Sequence, residues 1–131
     1  MHLDGSTFEV TDPKLLERIK THVAAGRWAL VGGWWIQPDC NFPSGFAMEK
    51  QIAAGKVYLE GEFGCFPETA YNVDSFGHAA ALPSLMRAAG QKNYVMMRPQ
   101  EGEMALPARC FRWRERAGSP EVVTFRIAGS Y

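Results

Sequence analysis

The sequence predicts an α/β fold in which helices alternate with parallel strands. Between residues 12 and 97, a helix pattern followed by a strand pattern occurs three times, which is the order of right-handed βαβ units. The strand patterns are largely apolar, as in parallel strands covered on both faces. With 131 residues and 47% hydrophobic content, the chain fits a single globular domain.

Three helices are predicted from capping residues and from apolar residues at helical spacing. The first covers residues 12–26, where an aspartate can cap the helix, a proline suits its first turn and a glycine ends it. The second covers residues 44–64 and begins at a capping serine. Gly55 and Gly61 within it weaken the helix by roughly 1 kcal/mol each relative to alanine. The third covers residues 83–90 and begins at a proline that would break a helix interior.

Five strands are predicted. The first, residues 27–36, is an almost continuous apolar run, and shorter strands are expected at 69–73 and 94–97. Residues 111–114 and 122–127 flank a turn rich in glycine, serine and proline. They are expected to form a hairpin whose last strand rejoins the main sheet.

Composition and charge exclude several classes of partner. The 14 basic and 14 acidic side chains cancel, so there is no electrostatic case for nucleic acid or an anionic membrane. The N-terminus lacks the pattern of a signal peptide, and no run of about 18 apolar residues predicts a membrane span. The three cysteines form no CxxC pair, so we expect reduced thiols, a cytoplasmic protein and no structural zinc cluster.

A polar side chain follows each of the three predicted parallel strands: Asp39, Asp74 and Arg98. The carboxyl ends of parallel strands share one edge, where ligands bind. Carboxylates and a guanidinium can bond sugar hydroxyls, and aromatic rings can pack on the apolar face of a sugar. The nearby aromatic residues are Trp34, Trp35 and Phe76. The sequence therefore predicts a carbohydrate or similar polyol at this edge.

Each of these three polar residues could instead have a purely structural role. Asp39 can form an Asx turn in its loop, and Asp74 can cap the next helix. Arg98 can simply pair with Glu101 or Glu103. These structural roles need no ligand and stay open at the level of sequence.

His78 and the tryptophans can also be structural. His78 has no second histidine nearby, so a bond to a backbone carbonyl is expected more than a metal. Trp34 and Trp35 are adjacent and would point to opposite faces of a strand. One of them is expected in the core, and we assign Trp35 to the substrate side.

The motifs in this chain, taken in order, closely resemble the catalytic domain of the glycoside hydrolase family 38 α-mannosidases. The resemblance runs from about Phe8 to Tyr131. The motifs are Gly-Arg-Trp at 26–28, Val-Gly-Gly-Trp-Trp-Ile-Gln-Pro-Asp-Cys-Asn at 31–41, Pro-Ser-Gly at 43–45, Asn-Val-Asp-Ser-Phe-Gly-His at 72–78 and Leu-Pro at 82–83. The resemblance implies a seven-stranded α/β barrel, of which this chain holds about four parallel strands with flanking helices.

That resemblance implies a retaining, zinc-dependent glycosidase that acts on mannose-containing oligosaccharides or glycosides. Asp74 matches the aspartate that is both the nucleophile and a ligand of the single zinc ion. Phe76 matches an aromatic wall of the pocket, and Arg98 a cation near the nucleophile. Asp39 matches a position in the loop beside the site, and Tyr131 lies near a substrate-side tyrosine of the family.

The resemblance also implies that this chain is an internal segment of a longer catalytic domain. The family's metal site uses a His-x-Asp pair upstream of these motifs, and a further histidine and the acid/base aspartate come from later segments. We therefore expect the isolated chain to be inactive and residues 1–7 to be a disordered tail. Two alternatives remain: a metal-dependent carbohydrate deacetylase, although the His-x-x-x-His spacing it needs is missing, and a non-catalytic carbohydrate-binding module.

Overall fold

A computed structural model describes residues 12–129 of the chain. The expected tail at 1–7 and Tyr131 lie outside the described residues. Within residues 12–129 there are three helices and four strands. The helices are α1 (Pro13–Ala24), α2 (Gly45–Phe63) and α3 (Leu82–Ala88). The strands are β1 (Thr69–Tyr71), β2 (Asn93–Met96), β3 (Cys110–Arg114) and β4 (Glu121–Arg126).

The three predicted helices are confirmed, and residues close to their ends cap or terminate them. The Asp12 carboxylate accepts the backbone N–H of Leu15 at 3.0 Å and caps α1. The Ser44 hydroxyl accepts the N–H of Ala47 at 3.2 Å and caps α2. Gly64 ends α2 with a φ of 70°, a left-handed conformation that suits glycine. The third helix carries its proline in the first turn. None of the helices in residues 12–129 is long and apolar enough to cross a membrane.

The four strands form one mixed sheet in the order β1-β2-β4-β3. β1, β2 and β4 are parallel, and β3 is antiparallel to β4. The predicted hairpin is therefore confirmed, and its second strand rejoins the main sheet beside β2. This order places the carboxyl ends of β1 and β2 next to each other.

The prediction of a strand over residues 27–36 is wrong. The segment forms no strand ladder in the structure, although the Gly32 N–H donates to the Thr69 carbonyl of β1 at 2.8 Å. Gly32 and Gly33 have φ values of 91° and 83°, which lie outside the β region. Two successive residues in this conformation turn the chain away from β1. The sheet consequently holds three parallel strands rather than four.

The core lies on one face of the sheet. Tyr94, Met96 and Val122 project from this face into a buried cluster that includes Trp34. The helices cover it with Met48 and Ile52 from α2 and Leu82 and Met86 from α3. Half-exposed Val123 and Phe125 alternate with buried residues along β4, so they belong to the opposite face.

Candidate functional site

Asp74 and Arg98 form an ion pair just beyond the carboxyl ends of two neighbouring strands. Asp74 follows β1 and Arg98 follows β2, and these strands are parallel and adjacent. The Arg98 Nε–H donates to the Asp74 Oδ1 at 3.2 Å. About a quarter of the Arg98 side chain and just under half of the Asp74 side chain remain accessible to solvent. The structure therefore brings these two predicted site residues together at one edge, open to a ligand.

Phe76 joins the same cluster through the guanidinium. The Arg98 Cζ lies 4.5 Å from the centroid of the Phe76 ring, within the range of a cation–π contact. The ring is 79% exposed. Arg98 also lies 3.9 Å from Glu103, so the expected structural pairing is present as well, whereas Glu101 pairs with Arg109. Asp74, Phe76 and Arg98 together offer a carboxylate, a cation and an apolar ring surface.

His78 contacts the backbone of the same arginine. Its Nε2 lies 2.7 Å from the Arg98 carbonyl oxygen, and its Nδ1 lies 2.8 Å from the Tyr94 hydroxyl. A carbonyl only accepts, so Nε2 carries the proton and Tyr94 donates to Nδ1. Burial lowers the pKa of His78 below its usual 6.5. The expected carbonyl bond of His78 is thus present in the structure.

Asp39 makes a local turn within its own loop. Its Oδ1 accepts the backbone N–H groups of Asn41 at 2.8 Å and Phe42 at 3.3 Å. This is the Asx turn that its sequence context allowed. Asp39 therefore orders its own loop, and this carboxylate oxygen is already bonded to the backbone.

That loop nevertheless braces the segment that carries Asp74. The Cys40 N–H donates to the Ser75 hydroxyl at 3.2 Å, and the Asn72 amide donates to the Pro38 carbonyl at 2.9 Å. Cys40 and His78 form an isolated parallel β-bridge. The loop after β1 is therefore tied to residues 38–40 on both sides of Asp74.

The two adjacent tryptophans have different environments, as expected. Trp34 is buried, stacks on Tyr94 with 6.2 Å between centroids and donates to the Gln91 amide oxygen at 2.8 Å. Trp35 is 40% exposed and lies edge-on to Tyr58 of α2 at 5.8 Å. The structure thus places Trp35 against the second helix, apart from the contacts that join Asp74, Phe76 and Arg98.

The sequence matches the family model described as "Glycosyl hydrolases family 38 N-terminal domain" over residues 6–131. The chain belongs to glycosyl hydrolase family 38. Alpha-mannosidase G of Dictyostelium discoideum and Alpha-mannosidase 2C1 of Homo sapiens are each 32% identical to it over 120 residues. These matches cover 91% of this chain but only 11% and 12% of those proteins. The family 38 segment thus spans about one ninth of the length of these relatives.

Two solved structures share the fold of this family 38 segment. One is an alpha-mannosidase from Enterococcus faecalis, with a TM-score of 0.73 and 18% identity over 92% of this chain and 14% of that one. The other is a 4-alpha-glucanotransferase from Thermococcus litoralis, with a TM-score of 0.77 and 16% identity over 94% of this chain and 19% of that one. The mixed sheet with flanking helices is therefore a partial barrel-type fold.

The described residues of the family 38 segment do not form a metal site by themselves. No group of three or more His, Cys, Asp and Glu residues in the part of the chain that the structure describes could hold a metal ion. Asp74 faces Arg98, and both nitrogens of His78 are already bonded. One His-x-Asp triplet does occur, at residues 2–4, but it precedes the match to the family model and lies outside the described residues. A single carboxylate does not hold zinc.

An apolar cavity of about 420 Å³ adjoins the site, and no sequence pattern pointed to it. It lies between the loop after β1 and the β3 strand. Its wall includes Phe76, His78, Met96, Phe111 and Trp113. These residues come from three separate segments, so only the folded sheet brings them together. The cluster around Arg98, by contrast, was indicated in the sequence by the polar residues that follow the predicted strands and by the aromatic Phe76 beside Asp74.

Proposed function

We propose that this chain is part of the catalytic domain of an α-mannosidase and that Asp74 is its nucleophile. The observation that carries the proposal is the Asp74–Arg98 pair at the ends of neighbouring parallel strands, inside a segment that belongs to family 38. The similar proteins from Dictyostelium and human are both named as alpha-mannosidases. The substrate class we propose is accordingly a mannose-containing oligosaccharide or glycoside.

Asp74 would act in a retaining mechanism. Its carboxylate oxygen attacks the anomeric carbon while the bond to the leaving-group oxygen breaks, and a glycosyl ester forms. The leaving oxygen takes a proton from an acid group, and we assign that role to no residue of this segment. Water then hydrolyses the ester and restores the carboxylate. The adjacent Arg98 guanidinium donates to the carboxylate at 3.2 Å and helps to hold it in place for the attack.

Phe76 and Arg98 would bind the sugar beside the nucleophile. The exposed Phe76 ring offers an apolar surface to the carbon–hydrogen face of a pyranose. The guanidinium lies against Phe76 and Asp74, and its remaining N–H groups can donate to sugar hydroxyls. Asp39 and Trp35 stay in the proposal as substrate-binding residues, and their observed contacts are an Asx turn and packing against Tyr58 of α2.

We further propose that Asp74 would supply one ligand to a zinc ion. The described residues do not fit the ion on their own, so the other ligands would come from outside residues 12–129. We also propose a cytoplasmic location, in keeping with three cysteines that are free in the described chain.

Hydrolysis of an aryl α-mannoside tests the proposal. We expect the purified 131-residue chain to release no mannose, and the full-length enzyme that contains this segment to do so. In the full-length enzyme, Asp74→Asn should abolish turnover, and a slow mannosyl substrate should leave a covalent adduct on the peptide that carries Asp74. An adduct on a different residue would overturn the assignment. Mannose binding to the isolated chain that survives Asp74→Asn would instead favour a non-catalytic binding module.

A further inference from the structure

Three alternate side chains of one loop contact a single arginine. Asp74 accepts from the Arg98 Nε–H at 3.2 Å. The Phe76 ring lies 4.5 Å from the guanidinium carbon. His78 reaches the other end of the same residue, the main-chain carbonyl, at 2.7 Å. Arg98 is therefore held at both its backbone and its head group by residues 74, 76 and 78.

The His78 ring is fixed in one orientation and one tautomer. Tyr94 lies edge-on to it with 5.5 Å between centroids, and Trp113 does the same at 6.2 Å. The Tyr94 hydroxyl bonds Nδ1 at 2.8 Å. The Arg98 carbonyl can only accept, so Nε2 carries the proton and Nδ1 accepts from the Tyr94 hydroxyl.

Arg98 needs such a contact because the sheet does not extend to it. β2 ends at Met96, two residues before Arg98, and the following residue is Pro99, which has no N–H to donate. Fixing the Arg98 carbonyl restricts the backbone dihedrals of Arg98 and hence the direction of its side chain.

The loop that presents His78 is itself firmly attached. The Ser75 hydroxyl donates to the Gly77 carbonyl at 2.8 Å and accepts from the Cys40 N–H at 3.2 Å. The Asn41 amide lies directly against the Gly77 Cα, so that a side chain at position 77 would have to displace it. These contacts therefore hold the loop, and with it His78, in place against the Arg98 carbonyl.

We propose that His78 is a positioning residue, which holds the Arg98 backbone so that the guanidinium stays on Asp74. His78 acts through Arg98 and touches neither the nucleophile nor the sugar. The inference deepens the proposed function, because it rests on Asp74 and Arg98 being the reacting carboxylate and its cation. It predicts that the ion pair loosens when the donor at position 78 is lost, even if the fold is intact.

Hydrogen exchange of the Arg98 Nε–H in the ¹⁵N-arginine-labelled 131-residue chain tests this proposal. Asp74→Asn identifies the resonance and should weaken its protection, because an amide oxygen accepts more weakly than a carboxylate. His78→Leu should speed exchange about tenfold, the equivalent of one hydrogen bond. His78→Gln can place an amide N–H near the position of Nε2 and should restore most of the protection. Trp113→Phe keeps an aromatic ring beside His78 and Tyr94 and removes no hydrogen bond to Arg98, so it should leave exchange at the native rate.

Two results would overturn the proposal: unchanged Arg98 exchange in a folded His78→Leu chain, or equal loss in the Leu and Gln variants. The amide spectrum reports whether each variant folds. If the Leu variant does not fold, Tyr94→Phe decides the matter, since it removes the hydroxyl that holds the His78 ring at Nδ1 and should speed Arg98 exchange several-fold. Native exchange in that variant would then refute the role of His78. The exchange measurement uses no sugar. A negative result would therefore refute the role of His78 without refuting the mannosidase proposal.

Discussion

Gly55→Ala should destabilise the chain, although alanine is the better helix former. Gly55 is buried on α2, where the helix passes close to residues 33–34. A Cβ built at Gly55 would lie 2.2 Å from the Gly33 carbonyl oxygen and 2.8 Å from the Trp34 carbonyl carbon. Both atoms are backbone, so neither can turn aside as the end of a flexible side chain could.

The magnitude follows from two opposing terms. Replacing a helical glycine with alanine gains about 1 kcal/mol from helix propensity. Ordinary contact begins at 3.4 Å, so the segments must separate by 3.4 − 2.2 = 1.2 Å to admit the methyl group. Overpacking of that kind costs about 1–3 kcal/mol or more, and the upper part of that range applies because backbone must move. We expect a net loss of about 1–2 kcal/mol.

Urea unfolding followed by circular dichroism measures this difference, and Gly61→Ala is the matched control. Gly61 lies on the same helix, is exposed and has no atom within 4 Å of a built Cβ. Its substitution should raise stability by up to about 1 kcal/mol. The two variants should therefore shift the midpoint in opposite directions. A Gly55→Ala chain that is as stable as the Gly61→Ala chain would refute the close approach of α2 to residues 33–34.

Three further predictions concern the buried polar groups. Burial lowers the pKa of His78. Between the folded pKa and about pH 6.5, the unfolded chain therefore binds more protons than the folded chain. Stability should fall as the pH drops through that range and stay level below it. Urea midpoints at about pH 7.5 and 5.5 check this, and His78→Gln should remove that part of the slope. Gln91 bonds Trp34 and two carbonyls from the core, so Gln91→Met should cost about 2–4 kcal/mol in urea unfolding, whereas Lys92→Met, at an exposed ion pair, should change stability by under about 1 kcal/mol. Cys40 is buried and its thiol pKa is raised by burial, while the other two cysteines are exposed, so iodoacetamide should modify two thiols in the folded chain and the third only in urea.

The helices could be predicted because their ends are set by nearby residues. Asp12 and Ser44 each cap a helix within three residues of themselves. The strand at 27–36 could not be judged in the same way. An apolar run predicts only that a segment is buried, and here only residues 32–34 are buried, with Trp34 bonded to Gln91, 57 residues away. Positive φ at two successive glycines then takes the segment out of the sheet.

For the candidate site, too, the sequence predicted one part and not the other. Asp74 and Arg98 converge because parallel neighbouring strands must end at one edge, a rule that needs only the strand order. Asp39 was placed by the same rule and Trp35 as an aromatic residue near it, but residues 27–36 do not form a strand, so their substrate-binding roles stay predictions. Their side chains found partners nearby, in an Asx turn and on α2.

The contacts identify Arg98 as the residue around which the site is organised. Asp74, Phe76 and Glu103 approach its guanidinium, while His78 bonds its carbonyl. Residues 74, 76 and 78 all belong to the loop after β1, so this one loop brings three side chains against the same arginine. A carboxylate held by a mobile arginine would be badly aimed at its substrate. A single loop meets this need, since it carries the carboxylate and also fixes the backbone from which its cation extends.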